Sequence, residues 1–328
     1  MDVVCLGILV TDIFADPVPV LPRPGELIIT DGFLLSPGGC AANVAINLRL
    51  LNRSVGVVGK VGEDHFGDFV IAELRQHGIE TEYIRRSAVN PTSATAILNV
   101  HGEDRRYLHC LGANRDFGLA DLDAKVFEQA RILYVGGYMA MPAFKAAELA
   151  NLFCEAKSRG LITVLDVVIP ADIEDPLKQV IPALAYADYF LPNDDEARLL
   201  TGISEPLEQA RALSRYNAQG TVIITQGSRG SLALRGRQVI ETPAFIMDSV
   251  DGSGAGDAFA AGLIVGLLEG WPLDANLQFA AAVGASCTRA LGCSTGVFRF
   301  DEAVAYIKTH AVESSGASRR ASEKEHLT

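Results

Sequence analysis

Between residues 130 and 191 the chain alternates short apolar runs with helix-length stretches, and few folds absorb that rhythm. Residues 132–135, 161–166 and 189–191 read as strands, while 142–159 and 176–186 read as helices. Strands that are apolar along their whole length are buried on both faces, and the intervening helices supply the crossovers that parallel strands require. The expected fold is therefore α/β: a doubly wound, mostly parallel sheet with helices on both faces. No internal repeat or low-complexity linker interrupts the pattern.

Near the C-terminal end a glycine loop runs straight into a helix. Residues 251–257 read Asp-Gly-Ser-Gly-Ala-Gly-Asp and lead into the apolar, alanine-rich stretch 258–268. Small residues let the backbone fold tightly, so the amides of Gly254, Ala255 and Gly256 can converge where the helix dipole adds partial positive charge. That is an anion site. Asp257 stands inside it, where a carboxylate would repel phosphate unless it served a purpose; a general base for a hydroxyl aimed at that phosphate is one. The alternative is that Asp257 only complements the dipole and the glycines only turn the chain. A dinucleotide fingerprint is excluded because it needs glycine at position 257, and a P-loop is excluded because Gly59-Lys60 is followed by Val61.

Composition narrows the chemistry further. The formal net charge of −12 leaves no basic footprint for nucleic acid and no attraction to an anionic membrane surface. Six cysteines occur without C-x-x-C or a Cys/His cluster, so neither zinc nor a disulfide framework is indicated. The N-terminus lacks a basic region, Asp12 breaks its apolar run, and no stretch of about 18 uncharged apolar residues occurs. A cytoplasmic enzyme of small-molecule metabolism, with reduced thiols, is expected.

Other polar positions have two readings each. Residues 2–9 form an apolar strand ending in a turn, Val10-Thr11-Asp12, where Asp12 either caps the turn or faces a site at the strand end. A strand over 26–36 gives way to Pro37-Gly38-Gly39 and a helix from Ala41, so Gly38 and Gly39 punctuate the backbone and Asn43 is a polar first-turn residue. Asn193 and Glu196 have the spacing of a capping box, which also puts both side chains on one helix face. Thr225 and Gly227 lie in a hairpin turn between strands 221–224 and 231–234. Strands over 92–100 and 105–111 form another hairpin; Arg105, Arg106 and His109 on it are either solvated edge charges or contacts for an acidic or phosphorylated ligand.

Taken together, these stretches resemble the ribokinase-like (PfkB-type) carbohydrate kinase family. The 251–257 loop is similar to its second signature, D-T-x-G-A-G-D, with Gly252 in place of Thr; residues 37–43 and the glycines at 59, 62 and 67 are similar to its first. The resemblance implies an ATP-dependent kinase with Asp257 as base and Gly254, Ala255 and Gly256 as the anion hole. It implies acceptor contacts at Asp12, Gly38, Gly39 and Asn43, nucleotide contacts at Thr225 and Gly227, and Mg²⁺ placed by Asn193 and Glu196. It further implies one kinase domain over 1–312, a small β-sheet lid from about 15–36 and 92–112, and a homodimer formed through that lid. Residues 292–295 would line the adenine pocket or a monovalent-cation site such as one for K⁺, and 313–328 would be a disordered tail. Cys40-Ala41 stand where ribokinases have Lys-Gly, a departure that bears on ribose as acceptor. A nucleoside acceptor is a second reading, with Phe14, Phe33 and Tyr107 as its aromatic contacts, and a catalytically silent sugar-binding protein is a third.

Overall fold

The structure is a computed structural model that describes residues 1–102, 106–128, 130–217 and 219–310. Arg105 and the expected tail over 313–328 lie outside the described residues. The first half of the chain runs β1 (Val3–Gly7), β2 (Val10–Ala15), β3 (Phe33–Gly38), α1 (Cys40–Leu50), β4 (Val55–Gly62), α2 (His65–Gln76), β5 (Ile84–Ser87), β6 (Ala94–Leu98) and β7 (Arg106–Cys110). The second half continues β8 (Ile132–Tyr138), α3 (Ala146–Ser158), β9 (Ile162–Val167), α4 (Pro176–Leu184), β10 (Tyr189–Phe190), α5 (Asp194–Thr201), α6 (Pro206–Ser214), β11 (Thr221–Thr225), β12 (Ser231–Arg235) and β13 (Gln238–Thr242). Three helices close it: α7 (Ala255–Glu269), α8 (Leu273–Cys287) and α9 (Phe300–Thr309).

Nine strands form one sheet in the order β13-β12-β11-β10-β9-β8-β1-β4-β5, parallel except for the antiparallel edge β11-β12-β13. Side chains alternate across it into two cores. Val3, Cys5, Ile132 and Tyr134 pack with α1, α2, α7 and α8 on one face, whereas Val4, Leu6, Leu133 and Val135 pack with α3 to α6 on the other. This is the burial on both faces that the unbroken apolar strands require. Helix α7 is buried nearly all round because α8 presses close: a Cβ at Gly262 would stand 2.7 Å from the Ala280 Cα.

The remaining four strands form a separate small sheet, ordered β3-β2-β6-β7. Here local reading and structure part. Residues 10–12 are not a turn but the start of β2, which pairs with β3 on one side and β6 on the other. The small sheet therefore begins at Val10 rather than near residue 15, and Asp12 projects from a strand. The expected strand over 26–36 forms only from Phe33, since Leu27 and Ile29 upstream are 89% and 88% exposed and find no surface to cover them.

Candidate active site

The order of the main sheet reverses between β1 and β8, whose neighbours run away in opposite directions along the chain. In open α/β sheets the crevice above the carboxyl ends of such strands is where ligands bind. Two helix N-termini meet there. Gly39 (φ 85°) caps α1 and lies so close to the Ile8 carbonyl that a Cβ would overlap it. Gly254 (φ 75°) caps α7 with its Cα against Cys293. Both conformations are open to glycine and strained for other residues.

Asp257, in the first turn of α7, reaches across to α1. Its Oδ2 accepts a hydrogen bond from Asn43 Nδ2 at 2.8 Å, and the Cys40 sulfur lies within 4.8 Å of the carboxylate. Burial pushes the Asp257 carboxyl above its ordinary value, with the Asn43 and Cys40 bonds opposing. Asn43 is 4% exposed and its Oδ1 has no hydrogen-bond partner among the described residues, which leaves a buried acceptor aimed at nothing in the protein. The anion loop itself is held by Asp251, whose Oδ1 accepts from Ser253 N and Oγ, both at 3.0 Å.

A cavity of about 160 Å³ opens in front of Asp257. Its wall includes Gly254 and Gly256 from the loop, Thr225 from the end of β11, and Asn193 and Glu196 from the start of α5. It also includes Asp166 at the end of β9, which sequence reasoning missed. The Asp166 and Asp257 carboxylates and the Cys40 sulfur offer ligand atoms within 4.8 Å of one another. Tyr134 Oη donates to Asp166 Oδ2 at 2.8 Å, and Val167 N to its Oδ1 at 2.8 Å. The available signal was Asp166's place at the end of the apolar run 161–166, the position from which such sheets build sites. Cys40, a departure from the ribokinase pattern, stands against the Asp257 carboxyl.

Three carboxylates thus face one small space whose wall, among the described residues, holds no lysine or arginine. Burial first and then the Glu196 and Asp257 charges push Asp166 up; burial, partly offset by the Asn193 amide, takes Glu196 up to about 7. Burial holds the Cys40 thiol well above its ordinary value, and the three carboxylates offer only oxygens, which suit a hard divalent cation that keeps some of its water. Asn193 and Glu196 are already engaged as a capping box: Asn193 Oδ1 accepts from Glu196 N and Glu196 Oε2 from Asn193 N, each at 2.9 Å. One Glu196 oxygen is left for the cavity.

Beside the loop stands the small sheet, which meets it where Phe14 and Ile97 pack on Cys293. Asp12 is 7% exposed, and burial raises its carboxyl to about 6 against a hydrogen bond from Thr95. Gly38 is glycine because a Cβ there would collide with the Asp12 carboxylate. Of the aromatic candidates, Phe14 packs with Ile97 and Cys293 beside the loop, and Tyr107, opposite Ile97, shares that face. Phe33, 71% exposed, lies on the other face. The alternation turns His109 to the cavity side of β7 and Arg106 to the far side. Gly227 (φ 56°) sits in the β11–β12 turn, outside the cavity wall. The backbone N–H of Gly292, from the 292–295 loop, meets Asp251 Oδ2 at 3.5 Å.

Comparison with known proteins agrees with the fold. The chain is 32% identical over 286 residues to a fructokinase of Klebsiella pneumoniae, covering 82% of this chain and 92% of that one. It is 29% identical over 276 residues to a ribokinase of Bacillus subtilis, covering 84% and 89%. Among solved structures, Arabidopsis thaliana ribokinase complexed with ribose and ATP superposes with a TM-score of 0.78 at 25% identity, over 94% of this chain and 98% of that one. Residues 1–298 match the pfkB family carbohydrate kinase, and with the glycine loop, its aspartate and the small facing sheet in place, the chain belongs to the pfkB family of carbohydrate kinases.

Proposed function

We propose that this carbohydrate kinase transfers the γ-phosphoryl group of ATP to a hydroxyl of a sugar or sugar derivative, with Asp257 as general base. The observation that carries the reading is the Asp257 carboxylate, held by Asn43 beside Cys40 at the mouth of the glycine loop. A carboxylate whose affinity for protons is raised by burial is better matched to taking one from an alcohol near neutral pH. Asn43 and Cys40 fix its direction, and Asp12, Gly38 and Gly39 on the facing wall bind and orient the acceptor.

The nucleotide has room where the protein has none of its own atoms. Gly256 has nothing within 4 Å of the position its Cβ would take, so its bareness serves the cavity and not the packing. Gly254, Ala255 and Gly256 turn first-turn amides, which have no acceptor within the helix, toward that space. Thr225 lines the same wall, and Gly227 follows it in the turn. Asp166 and Glu196, with Asn193 behind them, fit Mg²⁺; when bound, the ion offsets phosphate charge and the mutual repulsion of the carboxylates. The small sheet acts as a lid that excludes water from the acceptor.

The far side of the lid supports a homodimer. Phe33 and Leu108 are 71% and 68% exposed and share that face with Leu35, Ile13 and Ala96, an apolar surface of a sheet that is otherwise uncovered. Light scattering should give twice the chain mass for the wild type and the single mass for Leu108→Glu; a monomeric wild type would remove the dimer.

The test of the chemistry is ADP release with Mg·ATP, with and without KCl, over pentoses, hexoses, sugar acids, sugar phosphates and nucleosides. At least one sugar should turn over, and Asp257→Asn should lose that turnover by a factor on the order of 10² or more. Equal rates in the variant would remove Asp257 as base, and turnover confined to nucleosides would replace the sugar acceptor.

A further inference from the structure

Asp12 does not stand alone on the lid. The register sets Asp12 of β2 opposite Thr95 of β6, and Thr95 opposite His109 of β7, so the three form one cross-strand row on the cavity face. Thr95 is 8% exposed; its hydroxyl lies 3.0 Å from His109 Nδ1, and the register sets it beside the Asp12 carboxyl, whose ionised form it favours as a donor. A threonine hydroxyl has one proton to give. An ionised carboxylate only accepts, so when Asp12 takes that proton the contact with His109 requires the hydrogen to be on Nδ1. The other neutral tautomer would draw the Thr95 proton toward Nδ1 and strip Asp12 of its bond.

We propose that His109 is a positioning and specificity-determining residue for the acceptor: with its N–H on Nδ1 it commits the Thr95 hydroxyl to Asp12, and an acceptor hydroxyl donating to Nε2 locks the same arrangement. This rests on the reading of Asp12 as an acceptor ligand. The bare Nε2 of a neutral ring accepts and does not donate, so the lid edge suits a neutral polyhydroxylated sugar over a carboxylate or phosphate. Desolvation holds the His109 imidazole below its ordinary value, which favours that neutral form. The two ends of the acceptor site are coupled through a single proton.

Steady-state kinetics with D-fructose and D-ribose, together with ¹⁵N spectra of histidine-labelled protein, test it. Thr95→Val and His109→Leu should each raise the acceptor KM on the order of tenfold, the scale of one hydrogen bond to a charged group, while kcat falls less than the KM rises. His109→Asn should recover most of the loss, because its amide N–H takes the place of the ring Nδ1–H. The His109 spectrum should show the Nδ1–H tautomer in the wild type and lose that preference in Thr95→Val. An Nε2–H tautomer in the wild type, a KM within twofold in Thr95→Val, or an Asn variant no better than Leu would overturn the proposal. Asp12→Asn separates the layers: an unchanged acceptor KM there removes the acceptor role of Asp12, while the tautomer spectrum still decides whether the row exists. If neither sugar turns over, that spectrum decides alone.

Discussion

Gly256 lines the cavity in front of Asp257 and Gly38 lies beside Asp12 on the small sheet, and an added methyl group meets different things at each. At Gly256, in the first turn of α7, nothing stands within 4 Å; at Gly38, at the end of β3, a Cβ would run into the Asp12 carboxylate. One glycine leaves space for something that is not protein, the other for a side chain of the protein itself. The same contrast holds across each wall. The core wall is backbone amides and three carboxylates set on helix ends and strand ends packed in the main core. The lid wall is a row of side chains on a thin sheet whose last strand, β7, is exposed along its length. Under the proposed function the core wall serves the phosphoryl group, which is common to every acceptor, and the lid wall the one acceptor that the enzyme selects.

The sharpest way to break that comparison is Gly256→Ala. Alanine favours the helix over glycine by roughly 0.5–1 kcal/mol, so the variant should melt at or above the wild-type temperature. Turnover should nevertheless fall by a factor on the order of 10², the scale of losing one preorganised donor site for transition-state charge. A glycine held against stability is the signature of a ligand; an active Gly256→Ala would show that the open space is idle. Asp166→Asn comes next. It should raise the Mg²⁺ concentration needed for half-maximal turnover roughly 10–100-fold. It should also raise the melting temperature of the metal-free protein near pH 8, because one of three mutually repelling carboxylates is gone. A loss of both activity and metal-free stability would make Asp166 a structural partner of Tyr134 instead.

The core wall was also the more legible one. The loop at 251–257 states its geometry locally: glycines for the turn, an apolar run for the helix, an aspartate in its first turn. The rhythm of 130–191 likewise encodes the parallel sheet, because burial on both faces leaves a continuous apolar pattern. The lid wall was harder to read, since β2 owes its existence to partners 18 and more residues away in sequence, on both of its edges. Val10, Thr11 and Asp12 after an apolar strand look like the end of it, and only pairing with β3 and β6 makes them the start of another. Asp166 escaped for a related reason: a residue at a strand's end becomes a site residue only when the sheet order places it at the switch point. Asn193 and Glu196 had two compatible readings, and their capping bonds are formed while one Glu196 oxygen remains for the cavity.

On the lid wall, Gly38→Ala should act through Asp12. The new methyl displaces the carboxylate, so the acceptor KM should rise on the order of tenfold with little change in the KM for ATP, and the melting temperature should fall as well. In the wild type, acceptor binding should weaken as pH falls through about 6, where the Asp12 carboxyl takes up its proton. That acid limb should shift in Gly38→Ala. A parallel rise in both KM values would mean that the two walls do not divide the substrates between them.

The smallest effect is on stability against pH, and it too separates the walls. The folded protein holds protons on Asp12 and Glu196 more tightly than the unfolded chain does, up to about 6 and about 7. A carboxyl raised in this way contributes stability that is complete below its unfolded value and is lost as pH rises through its folded one. The melting temperature of the metal-free protein should therefore fall by a few degrees between pH 5 and 7.5, the shift expected for roughly 1 kcal/mol in a chain of this size. Asp12→Asn should flatten the lower part of that fall and Glu196→Gln the upper part. Mg²⁺ should restore the loss at pH 7.5 in the wild type and in Asp12→Asn, with little effect in Glu196→Gln, since a bound ion stabilises only where its ligands are ionised and present. If Mg²⁺ protected Glu196→Gln as well as the wild type, Glu196 would be a helix cap alone and the cation would rest on Asp166.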